Sequence, residues 1–228
     1  MQDNPGAAVD APARNQPQVR SAAHVLIVFG ILELIYGQYT APPGQIKLDV
    51  MLLAAGLLLY FGGAKVIAAI RWIAVFTVVP AVTLPVQQAL LAPLELTKVQ
   101  LRLYPGQFIL FFVPLIVTAA VVSVVAWRLN SEPVRAMLRA NGRVPSRLTI
   151  PVVLGVLVAT AGTAILVNML HGPDAAQAAK IAETRFGAKY KYFTNRLNVV
   201  NANGTTVYAT VQMWNDKEAL QVPVYWRR

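Results

Sequence analysis

The chain has 228 residues, more than half of them apolar, and only 13% are charged, well below the roughly 25% of an ordinary soluble domain. The formal charge is +10, but the Lys and Arg residues fall between apolar runs, a distribution that fits membrane topology better than nucleic-acid binding. There is no Cys, which excludes disulfides, thiolate metal centres and Cys nucleophiles.

Residues 1–21 are rich in Pro, Gln, Asn and Ala without apolar periodicity, so they are expected to form a disordered arm. The run 22–40 is apolar apart from His24, Glu33 and Gln38, the length of one membrane span. A secretory signal is the weaker reading, because the run is long and "IYGQYTAPPG" is a poor cleavage site. "APPG" at Ala41 to Gly44 breaks the helix, and a second span is expected over 46–63, with Lys47 and Asp49 at its entrance.

A third span is expected over 66–91, kinked by Pro80 and Pro85. The segment 93–107 alternates apolar and polar residues, which leaves a short interfacial helix and an extended loop both open. A fourth span, 108–127, contains Pro114 and ends in Trp127 and Arg128, an aromatic and basic pair suited to a membrane boundary. The fifth, 150–170, is free of charge. No internal repeat links these runs, so the inverted-repeat signature of many transporters is not visible.

Residues 171–228 change character. Asp174 to Phe186 reads as a helix with Asp174 as its N-cap and a stripe of Ala178, Ile181, Ala182, Phe186 and the Arg185 stem. Strands follow from about Lys189 to Val200 and after the turn "NANG", with Val207, Ala209, Val211 and Met213 on one face. A third strand alternates Leu220, Val222, Val224 and Trp226, and Pro223 marks it as an edge. The expected fold is an all-α membrane bundle of about five spans followed by an α+β domain, one helix on a three-stranded antiparallel meander.

Arg14, Arg20, Lys65, Arg71, Arg128, Arg135, Arg139, Arg143 and Arg147 fall on one side of this arrangement; the short loops of the other side hold Lys47, Lys98 and Arg102. The positive-inside rule then places the N-terminus in the cytoplasm and the C-terminal domain outside it. The expected location is a bacterial inner membrane.

Glu33 is the one acid well inside an apolar run, and such a group is a functional candidate because burying it is costly. Arg71 is its candidate partner; a structural ion pair or an interfacial Glu is the plainer reading. Arg135, Arg139, Arg143 and Arg147 have helical spacing suited to anionic lipid headgroups, although topology alone explains them. Tyr190, Tyr192, Tyr208 and Tyr225 are candidates for a partner surface, with cross-strand packing as the alternative. His24 and His171 flank the first and last spans, too far apart to share a metal. No catalytic motif or paired carboxylate spacing occurs, so neither an enzyme nor a cofactor is expected.

"RWIAVF" in a middle span, "LTKVQLRLYP" before the next and the ending "YATVQMWNDKEALQVPVYW" resemble uncharacterised bacterial inner-membrane proteins with a small C-terminal domain. The resemblance implies architecture and carries no activity. Two functions remain in view. One is an accessory, assembly or sensing factor that docks another envelope protein through its tail, where strand edges are available. The other is a small transporter or lipid-handling protein that uses Glu33 and Arg71.

Overall fold

The computed structural model describes residues 15–41, 49–143, 147–200 and 205–227. Lys47, Pro145, the "NANG" turn and most of the N-terminal arm lie outside them. Helices come first: α1 (Pro17–Thr40), α2 (Met51–Phe61), α3 (Ala64–Leu91), α4 (Leu94–Leu103), α5 (Pro105–Leu129), α6 (Glu132–Ala140), α7 (Thr149–His171) and α8 (Pro173–Phe186). Strands β1 (Lys191–Val200), β2 (Thr206–Trp214) and β3 (Ala219–Arg227) close the chain.

Among the described residues four helical stretches are long and apolar enough to cross a membrane, containing α1, α3, α5 and α7. Their apolar side chains face outward: Ile31, Ile35, Ile73, Leu110, Val113 and Val153 are all exposed. Only 11% of the most apolar window of α5 is buried. Such inverted surfaces are compatible with lipid as the surrounding solvent.

Two expectations change. Helix α1 begins at Pro17, inside the stretch read as an arm, because Val19 is buried in the same core as Leu59 and Leu129 and Pro is favourable in a first helical turn. The second span is not a long helix. Helix α2 has 11 residues, about 16 Å at 1.5 Å per residue, against the roughly 30 Å of a hydrocarbon core.

Helix α2 nevertheless runs back along α1. A side chain at Gly30 would meet the Leu53 backbone at 2.5 Å, and one at Gly56 would meet Ile27 N at 2.8 Å. Further along, Tyr60 lies 5.7 Å from His24, ring to ring. The chain has therefore returned to the N-terminal end of α1 before α3 starts.

The chain divides into two compact units, the described parts of Met1–Val82 with Val117–Val156, and of Thr83–Ile116 with Leu157–Arg228. The first holds a core that gathers Val19, Leu59, Ala64, Ile67, Leu129, Val134 and Leu138. These residues bring together the start of α1, the end of α2, the start of α3, the end of α5 and helix α6.

The second unit contains the antiparallel sheet, ordered β1-β2-β3. Val207, Ala209, Val211 and Met213 are buried on one face, and Ala178 and Ala182 of α8 share a core with Ala209, Val211 and Val224. The expected alternation holds because the pairing puts Trp226, Val224, Val222 and Leu220 opposite those four residues. β3, with Pro223, is an edge strand.

Details of this unit differ from expectation. The cap of α8 falls on Gly172 and Asp174 lies in its first turn, while Arg185 and Phe186 are exposed. The helix stops where Gly187 takes φ 82°, a conformation that favours glycine. β1 carries an irregularity between Thr194 and Arg196, which leaves Asn195 as an extra residue.

Candidate functional site

Glu33 and Arg71 do not meet. Thr118 on α5 donates to Glu33 Oε1 at 3.2 Å, whereas Arg71, only 3% exposed, donates from Nε to Asn130 Oδ1 at 2.7 Å. No ion pair joins Glu33 and Arg71 among the described residues. Each is held by a neutral partner, which fits a structural role for both.

The arginine series is divided by the end of α6. Arg135 and Arg139 both bind Glu132, at 2.8 and 2.7 Å. At Gly142 the backbone turns to φ 67°, and Arg143 and Arg147 lie beyond it, exposed. A four-residue comb on one helix is therefore not formed.

The tyrosines separate in the same way. Tyr190 donates to Glu218 Oε1 at 2.5 Å and Tyr192 to the Gly187 carbonyl at 2.6 Å, so both serve the domain's own structure. Tyr208 and Tyr225 are cross-strand neighbours, exposed, with ring centroids 6.3 Å apart. Among the described residues no cluster of His, Asp and Glu suits a metal ion.

Sequence reasoning missed a concave feature of the second unit. The segment before α5 is a helix, α4, and it faces the sheet through long polar side chains. Gln100 donates to Gln212 Oε1 at 3.3 Å, Lys191 pairs with Glu95, and Arg102 donates to the Asp216 carbonyl. Leu96 is fully buried, giving α4 the amphipathic character anticipated for an interfacial helix.

Between these bridges and the ends of α3, α5 and α7 lies a cavity of about 1100 Å³. Its lining includes the apolar side chains of Phe108, Phe111, Phe112, Leu166, Met169 and Leu170 and the polar ones of Gln88, Gln100, Gln107, Asn195, Arg196, Gln212 and Gln221. Asn195, at the β1 irregularity, has a buried Oδ1 with no hydrogen-bond partner among the described residues. Unpaired buried oxygens are uncommon in folded proteins, and this one borders open space.

The signals were present but scattered. Gln88, Gln100, Gln107, Gln212 and Gln221 come from five separate elements, and no local spacing joins them. No family model, curated protein or solved structure matches the chain.

Proposed function

We propose that this chain is a multi-pass membrane protein whose C-terminal unit binds an amphiphilic molecule, a single-chain lipid or the chain end of a larger one. The observation that carries the reading is the mixed lining of the cavity of about 1100 Å³, which combines aromatic and aliphatic side chains with amides and Arg196. A ligand site is typically concave and mostly apolar, with a few polar groups that fix orientation. Here the aromatic and aliphatic side chains take an acyl chain, and the amides and guanidinium take a headgroup. This is the lipid-handling reading, with its site moved from Glu33 and Arg71 to the C-terminal unit.

The membrane frame rests on the four long apolar stretches and on the return of α2 to the start of α1. Arg20, Lys65, Arg71, Arg128, Arg135 and Arg139 belong to the elements gathered around one core, which makes that end cytoplasmic under the positive-inside rule.

The test is binding of a fluorescent palmitoyl lysophospholipid to the full chain in detergent. Leu166→Trp adds bulk within the cavity and is expected to weaken binding about tenfold, the effect of losing about 1.4 kcal/mol. Unchanged binding in a folded Leu166→Trp protein contradicts the assignment. Docking of an envelope protein is a second reading, favoured by the exposed Tyr208 and Tyr225 pair; Tyr208→Ser with Tyr225→Ser would abolish capture of that partner and leave lipid binding intact.

A further inference from the structure

The basic end of the first unit contains a second, smaller cavity of about 310 Å³, lined by Gln18, Trp127, Arg128 and Ser131. We infer that it is a phosphate site for an anionic phospholipid headgroup. Arg128 Nε, Ser131 Oγ and Gln18 Oε1 are buried atoms without a hydrogen-bond partner among the described residues, and so is Arg135 Nε, one turn further along α6. Leaving several such groups unmade is costly, and a ligand rich in acceptors answers Arg128 and Ser131 together. Gln18 Oε1 is an acceptor, suited to the hydroxyl that accompanies the phosphate in a headgroup such as glycerol.

The surroundings favour an anion. Arg128 spends one guanidinium nitrogen on Ser21 Oγ at 2.6 Å, a neutral partner that leaves its charge uncompensated. Arg135 and Arg139 share the carboxylate of Glu132. Ser131 stands at the N-cap of α6 but makes no side-chain cap bond, so the positive end of the helix dipole faces the same place with its hydroxyl free. Trp127 is 74% exposed, the disposition of an aromatic residue at a bilayer boundary. The geometry makes the phosphate itself the recognised group, whether it arrives on a lipid or in solution.

The experiment is thermal unfolding of the full chain, purified free of lipid in maltoside detergent. It is titrated with short-chain phosphatidylglycerol, with phosphatidylcholine of the same chains, and with inorganic phosphate. Phosphatidylglycerol is expected to raise Tm saturably, and phosphatidylcholine is not. Arg128→Gln and Ser131→Ala should each raise the lipid concentration for half-effect about tenfold, the scale of one charge-assisted hydrogen bond; Arg143→Gln with Arg147→Gln should leave it unchanged. A saturable rise with phosphate alone, lost in the same variants, supports the site and assigns its ligand to solution. Equal responses to the two lipids overturn the inference, as does a phosphatidylglycerol response that survives both substitutions. Should Arg128→Gln fail to fold because its bond to Ser21 is needed, Ser131→Ala decides, since that hydroxyl makes no bond among the described residues.

Discussion

The two units solve the same packing problem with opposite materials. In the first, small residues let backbones touch: the space where a Cβ would stand at Gly30, Gly56 or Gly155 is already taken by another helix at 2.5 to 2.8 Å. In the second, Glu95, Gln100 and Arg102 reach from α4 to the sheet and hold it at side-chain length. Small residues give close van der Waals packing, whereas long polar side chains span a gap without filling it. The difference teaches where a ligand is to be sought: in the region that its own side chains bridge but do not fill.

Substitutions sharpen this contrast. The largest effect is expected from Asn130→Leu, which strips the nearly buried Arg71 of its acceptor; a loss of about 3 kcal/mol is expected for a buried charge left without its partner, read as a fall in unfolding midpoint in detergent. Gly56→Leu drives a side chain into Ile27 and is expected to cost about 2 kcal/mol by overpacking. Its control is Gly162→Leu, where no atom lies within 4 Å, and the midpoint should not move. Equal effects at the two glycines would erase the distinction between the units.

In the second unit the effects are smaller. Gln100→Leu removes one neutral bridge to Gln212 and should cost about 1 kcal/mol, with a change in lysophospholipid affinity that a merely structural bridge would not produce. Glu95→Gln removes an exposed ion pair with Lys191 and is expected to change stability by less than about 0.5 kcal/mol, a difference that vanishes in high salt. Glu33→Gln keeps an acceptor for Thr118 and should alter neither unfolding nor binding; a loss of binding would return Glu33 to the functional site.

The strands were legible because period-two alternation is a local property. Val207, Ala209, Val211 and Met213 announce a buried face whatever they pack against, and Gly187 announces the end of α8. The long apolar runs were legible for the same reason. The shortness of α2 was not, since Ile46, Leu48 and Val50 continue the apolar run and composition alone cannot say where helical hydrogen bonding begins. The proposed Glu33 and Arg71 pair failed because depth in a span does not fix rotation about the helix axis, and each found a neutral partner on α5 or just beyond it. The cavity was hidden for a related reason: its polar lining is assembled from residues far apart in the chain, and the Asn195 irregularity has no signature in "YFTNRL".

The most direct measurement is photo-cross-linking of a diazirine-bearing palmitoyl lysophospholipid to the full chain in native membranes, with adducts mapped by mass spectrometry. Adducts are predicted to concentrate on Phe111, Phe112, Leu166, Met169 and Phe193, which all line the cavity, and to be competed away by unlabelled lysophospholipid. Adducts spread evenly along the outward faces of α1, α3, α5 and α7, with none at Phe193 and no competition, would contradict it.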